Sequence, residues 1–150
     1  MTKLTMAKAL NAGLRRALEA DPKVVLAGED IGKLGGVFRV TEGLQKDFGE
    51  GRVIDSPLAE SGIVGTAVGM ALRGYRPVCE IQFDGFVYPA FDQIVSQVAK
   101  MRFRSAGRLS MPDPDPVSIF DHVYAEGSPE IDEQRAQFSA YLATFEGSAH

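Results

Sequence analysis

Three residues in this sequence have the type and setting to do chemistry, and each stands where an apolar run gives way to a turn. Glu60 follows the short run Val53-Ile54, within Asp55-Ser56-Pro57-Leu58-Ala59-Glu60-Ser61-Gly62. Ser56 suits the N-cap of a helix and Pro57 its first position, where a missing N–H leaves nothing unpaired. Glu60 is then expected in the first helical turn, where the positive end of the helix dipole favours a carboxylate that can accept hydrogen bonds. Two readings of it stay open: an acceptor in a binding site, or an acid that only complements the dipole. Glu29 ends the apolar run 23–27 in Gly28-Glu29-Asp30, and Phe86 follows the run 77–83 in Asp84-Gly85-Phe86. Ligands of open α/β sheets bind beyond the carboxyl ends of the strands, which makes Glu29 a site candidate, with a solvated loop acid as the alternative.

The elements that must position these residues follow from periodicity. Met6, Leu10, Leu14 and Leu18 recur every four residues, with Lys8, Arg15 and Arg16 between them, which predicts an amphipathic helix over 5–19. Residues 23–27 read as a strand, its run apolar without a break after Lys23, as a strand buried on both faces would be. Gly32, Gly35 and Gly36 open a loop in which 37–40 is expected as a short extended piece. A short helix over 41–48 is expected next, capped by Thr41 and stopped by Gly49. A second strand is predicted at 52–55. The glycine-rich segment after it, apolar nearly all round, predicts a buried, closely packed helix that ends at Arg73-Gly74. A third strand over 77–83 and a long helix over 88–103 complete the pattern, the helix facing inward with Phe91, Ile94, Val95, Val98 and Met101. Strands alternating with helices predict an α/β fold, a parallel sheet with flanking helices.

Composition narrows the function classes. Apolar residues make up 45% of the 150, enough for a core, and sixteen basic against twenty acidic residues give a net charge of -4 with no basic stripe for nucleic acid. The single cysteine, Cys79, sits in an apolar run and is expected as a small buried hydrophobe. His122 and His150 have no second ligand at metal spacing, so no metal site is expected within the chain. No apolar run approaches the ~20 residues of a membrane span, and no signal or transit pattern opens the sequence, so the expected location is cytoplasmic. Neither G-x-G-x-x-G nor G-x-x-x-x-G-K occurs. From Pro112 the proline-spaced acidic stretch 112–116 cannot continue a helix. The chain divides into a domain over 1–112 and a proline-rich linker with a helical tail over 113–150, with apolar stripes at Val117, Phe120, Val123 and Tyr124 and at Ile131, Phe138, Tyr141, Leu142 and Phe145.

Leu26-Ala27-Gly28-Glu29-Asp30, Gly35-Gly36-Val37-Phe38-Arg39, Asp55-Ser56-Pro57-Leu58-Ala59-Glu60-Ser61-Gly62, and Glu80-Ile81-Gln82-Phe83 with Pro89-Ala90-Phe91-Asp92-Gln93-Ile94 together carry a specific resemblance. Residues 1–112 resemble the N-terminal half of the β subunit of the E1 component of 2-oxo acid dehydrogenase complexes, a transketolase-like, thiamine-diphosphate pyrimidine-binding domain. The wording of 81–94 leans toward the branched-chain members over the pyruvate ones. The resemblance implies that Glu60 bonds the aminopyrimidine ring of thiamine diphosphate and favours its imino tautomer. It also implies that Phe86 stacks on that ring, that the Leu58 backbone bonds to it, and that Glu29 joins an acidic network passing protons between active sites. The expected activity is oxidative decarboxylation of a small 2-oxo acid with acyl transfer to lipoyl groups. The implied partners are an E1 α subunit, which holds the diphosphate and magnesium, a second β-type subunit to make up a heterotetramer, and a lipoyl-bearing E2 component.

Beyond Pro112 the sequence departs from the family's β subunits. The glycine-rich strand end and the C-terminal domain that they carry do not follow, so the domain is expected to be truncated. Residues 113–147 resemble instead the C-terminal tail of an E1 α subunit, through Phe120-Asp121-His122-Val123-Tyr124 and Glu133-Gln134-Arg135. A non-catalytic assembly module that docks onto E1 subunits is therefore the alternative function.

Overall fold

Five consecutive buried residues, Val24–Gly28, form the central strand β1 of the chain, whose computed structural model describes residues 4–109. β1 pairs in parallel with β2 (Val53–Asp55) on one side and β3 (Arg76–Glu80) on the other, giving the order β2-β1-β3 among the described residues. The register sets Gly28 opposite Asp55 in one neighbour and opposite Glu80 in the other. All three strands thus end level at one edge. Both faces of β1 are covered, which is why its sequence is a continuous apolar run and not an alternation.

On one face lie α1 (Met6–Ala20) and α2 (Leu44–Phe48). Leu18 and Leu44 join Val24, Leu26, Ile31 and Val53 in one cluster, flanked by Leu14, Ala17, Phe48 and Val78. Ile31, Leu44 and Val53 have no exposed surface; removing such side chains from water contributes about 1.5–3 kcal/mol each. The other face is covered by α3 (Glu60–Leu72), which buries Ile63, Val64, Ala67, Val68 and Ala71. Successive crossovers that run in opposite directions along a parallel sheet, both right-handed, must use opposite faces, as these two do. α3 closes with Gly74 N–H donating to Ala71 C=O at 2.9 Å and Tyr75 N–H to Met70 C=O at 3.1 Å, the paired bonds of a Schellman end.

Several boundaries differ from the sequence expectation. The N-cap of α3 is Ala59, not Ser56. Ser56 N–H donates to Gly28 C=O at 2.8 Å and so prolongs the strand pairing, and a residue before proline is pushed toward extended geometry in any case. Thr41 does not cap α2, whose N-cap is Gly43; its hydroxyl donates instead to the Ile31 carbonyl at 2.7 Å in the buried loop. Residues 37–40 form turns, with Arg39 at a positive φ, and no extended piece. The expected long helix is broken into a 3-10 turn at Asp84–Phe86, α4 (Val87–Asp92), a π-helical segment at Gln93–Val98 and α5 (Met101–Arg104). Ala99 N–H bonds to Ile94 C=O at 3.0 Å, one residue further back than in an α-helix. That insertion rotates later side chains by about 100°, so no continuous inner stripe survives: Ala90 is buried while Phe91 is exposed. α3 is also only half covered, since Ser61, Gly62, Thr66, Gly69 and Leu72 are exposed. Of its glycines, Gly65 alone faces another element, the Gln93 side chain, and nothing described lies within 4 Å of a Cβ placed on Gly69. The expected helical tail lies outside the described residues.

Arg52 ties three elements together. Its Nε donates to Val24 C=O at 2.6 Å, and its Nη2 donates to the Leu18 and Asp21 carbonyls at 3.0 and 2.8 Å. Leu18 and Asp21 are at the carboxyl end of α1, where carbonyls lack helical partners and a cation is favoured. Replacing Arg52 by Ala should lower the unfolding free energy by about 2–4 kcal/mol, measured by urea titration of the whole chain.

Candidate functional site

The level strand ends at Gly28, Asp55 and Glu80 send three loops off one edge of the sheet, and the sequence-predicted residues lie on these loops. Glu29 follows β1 directly and is half-buried; its carbonyl accepts from Gln82 Nε2 at 3.2 Å, which joins the loop after β1 to the loop after β3. Leu58 lies in the loop after β2 with 66% of its surface exposed. Glu60 is the first residue of α3 and half-buried, in the first turn as expected. Phe86 ends the 3-10 turn after β3, 41% exposed. The ion pairs among the described residues, Arg15–Asp47 at 2.7 Å and Arg76–Asp21 at 3.4 Å, use no acid of this edge.

Phe86 does not stand alone. Its ring meets Phe83 edge-on at 5.5 Å between centroids, and Phe83 meets Phe38 edge-on at 5.6 Å. The arrangement brings positive ring edges to negative faces, and the three rings form one ladder across the loops after β1 and β3. Sequence reasoning singled out Phe86 but not the two supporting rings, because Phe38 sits in a loop of no regular period. The edge thus pairs an aromatic surface with carboxylates, an arrangement suited to a flat heterocycle with ring nitrogens.

Glu80, at the end of β3, was not singled out either. Its Oε2 is buried and meets no hydrogen-bond partner among the described residues, and this desolvation raises the carboxyl's pKa above the usual glutamate range. Oε1 lies 3.0 Å from where a Cβ on Gly36 would stand. Gly36 has a φ of +76°, a left-handed backbone that favours glycine there. A charged residue inside the apolar run Val78-Cys79-Glu80-Ile81 was the signal in the sequence. Cys79 is a free cysteine whose thiol burial pushes up to about 11, in keeping with an unreactive small hydrophobe. A cleft of about 380 Å³ lined by Gly32, Lys33, Gly43, Gln45, Lys46, Gly49 and Glu50 lies beside the loop after β1, yet holds none of Glu29, Leu58, Glu60 or Phe86. Those four stand on an open edge. Among the described residues no three His, Cys, Asp or Glu side chains group as metal ligands would, and no helix is long and apolar enough to cross a membrane.

Comparison with known proteins bears on this edge. Residues 2–112 match the family described as transketolase, pyrimidine binding domain. The pyruvate dehydrogenase E1 component subunit beta of Leifsonia xyli is 71% identical over 109 residues, which is 73% of this chain and 32% of that protein. The proteins of the same name from Staphylococcus epidermidis and Staphylococcus aureus are each 56% identical, over 119 residues (79% of this chain, 35% of theirs) and 112 residues (75% and 34%). The chain therefore spans about a third of the length of these relatives. Their names do not support the branched-chain leaning drawn from residues 81–94.

Glu80 sets a pH dependence. Its carboxyl holds its proton to higher pH in the folded chain than in the unfolded one. The stabilisation from the neutral form is fully present below the unfolded pKa and is lost as pH rises through the raised folded pKa. Glu80→Gln, which keeps the neutral shape, should melt with the parent chain at about pH 4 and a few degrees above it at about pH 8, followed by circular dichroism.

Proposed function

This chain belongs to the transketolase pyrimidine-binding domain family, and from that premise we propose that it serves as the aminopyrimidine-binding part of a β-type E1 subunit in a 2-oxo acid dehydrogenase. The names of its relatives make pyruvate the favoured substrate. Thiamine diphosphate, when bound, supplies a nucleophilic carbon and an electron sink for loss of carbon dioxide from a 2-oxo acid. The observation that carries the reading is the convergence of Glu60, Leu58, Glu29 and Phe86 on three loops at one edge of a parallel sheet.

In this role the Glu60 carboxylate accepts a hydrogen bond from the aminopyrimidine ring, and its place at the start of α3 anchors it to a helix packed along the sheet. Phe86 lies against the ring face, held at its angle by Phe83 and Phe38. The Leu58 backbone offers a polar group to the same ring, and Glu29 stands next along the edge to hold or pass a proton. Small-molecule sites enclose most of their ligand, whereas Leu58 and Phe86 are largely exposed. The remaining walls, together with the groups that hold the diphosphate and magnesium, therefore fall to an α-type partner, with a second β-type subunit and a lipoyl-bearing E2 component as the other members of the assembly.

A second reading, a non-catalytic module that docks onto E1 subunits, draws on the exposed Tyr88 and Phe103 and on the exposed Gly62 and Gly69 of α3. Titration calorimetry with thiamine diphosphate and magnesium, with and without an α subunit, separates the two, since the docking module gives no heat of cofactor binding in either case.

In a complex reconstituted with an α subunit, Glu60→Ala should reduce decarboxylation by about 10²–10³-fold with the fold intact. Full activity in that variant would overturn the role of Glu60. Phe86→Ala should weaken cofactor binding roughly five-fold, the worth of about 1 kcal/mol of ring contact, read by the same calorimetry.

A further inference from the structure

We propose that Asp55 is a positioning residue for this site: its carboxylate ties the loop after β1 to the end of β2, and so fixes Glu29 relative to Glu60. The inference rests on the functional reading above. Gly32 N–H donates to Asp55 Oδ1 at 2.6 Å, across 23 residues of sequence. A backbone N–H to a carboxylate is charge-assisted, shorter and stronger than a neutral pair.

The position of this bond gives it its consequence. Asp55 is the last residue of β2 and pairs with Gly28, the last residue of β1. Two loops leave the sheet side by side there, one carrying Glu29 and the other Leu58 and Glu60. Gly32 lies three residues after Glu29, and Asp55 five before Glu60. The other side-chain bonds that reach out of the first loop lead elsewhere. Gln82 holds Glu29 C=O from the loop after β3, and Asn11 Nδ2 reaches Val40 C=O at 2.8 Å from α1. Among the described residues, Asp55 alone joins this loop through a side chain to the β2 side that leads to Glu60.

Gly32 is fitted to this contact. A Cβ there would overlap Asp55 Oδ2 and Gln45 Nε2, so a side chain at 32 would push the carboxylate off the amide. Gln45 is itself held in place, because its Nε2 donates to Val53 C=O at 2.9 Å. Asp55 is an exposed residue outside the core cluster. Its carboxylate fixes a loop at the edge where Glu29 and Glu60 must keep their spacing.

The test compares Asp55→Ala with Asp55→Asn, which keeps an acceptor, in the complex reconstituted with an α subunit, thiamine diphosphate, magnesium and pyruvate. Asp55→Ala should lower kcat roughly ten-fold, the scale of one lost charge-assisted bond, with KM for pyruvate within two-fold; Asp55→Asn should stay within about three-fold of the parent. Hydrogen exchange on the chain itself should show the Gly32 amide exposed in Asp55→Ala and protected in Asp55→Asn. Parent-like kcat in Asp55→Ala, or equal losses in both variants, would overturn the proposal. Should Asp55→Ala fail to fold, Asp55→Asn decides alone, a loss beyond ten-fold counting against positioning. Glu60→Ala run in parallel keeps the two ideas apart: its full activity defeats the functional reading, while Gly32 exchange still reports whether Asp55 holds the loop.

Discussion

Parallel pairing of β1 with both of its neighbours is the constraint from which the rest of this chain follows. The register that sets Gly28 against Asp55 and against Glu80 makes three strands end level, and the turns that follow must share one edge. Parallel strands need long crossovers, which lay helices on both faces and bury the central strand completely. Had β2 paired one residue out of register, Asp55 would point to the other face of the sheet and lose Gly32. The level edge thus arises from backbone hydrogen bonding, before any functional side chain is considered.

Polar ties then fix the loops that this pairing leaves free. Thr41 and Arg52 satisfy carbonyls inside the structure, and Asn11, Gln82 and Asp55 hold the loop after β1 from three directions. A buried carbonyl or amide without a partner costs about 1–3 kcal/mol. A loop of this length lies close to the sheet because its backbone groups find partners at these points. Glu80 is the exception. Its buried oxygen has no partner among the described residues, and the site carries that cost next to Gly36, where the backbone also adopts a conformation few residues tolerate.

Two features of the described region face outward. The aromatic ladder of Phe38, Phe83 and Phe86 is exposed beside the acids of the sheet edge, and Gly62 and Gly69 of α3 are exposed among the described residues. Each edge-on pair in the ladder contributes about 0.5–1.5 kcal/mol beyond the area it buries.

Much of this was legible in the sequence. The apolar run 23–27, the alternation of strands and helices, and the small-residue helix after Glu60 led to a parallel α/β sheet, because burial on both faces and helical period leave direct marks on residue type. Glu29, Glu60 and Phe86 were recognisable as residues at strand ends. Helix boundaries were less so: Ser56 and Thr41 have ideal capping side chains, yet one is claimed by strand pairing with Gly28 and the other by the Ile31 carbonyl. The sequence by itself determined the fold class and the residues brought to the edge, since periodicity and turn chemistry are local. Only the tertiary structure decided that Asp55 meets Gly32, that Glu80 is left without a partner and that three phenylalanines form one ladder. Those contacts join segments from roughly 20 to 50 residues apart, and their formation depends on strand register, which no local pattern encodes.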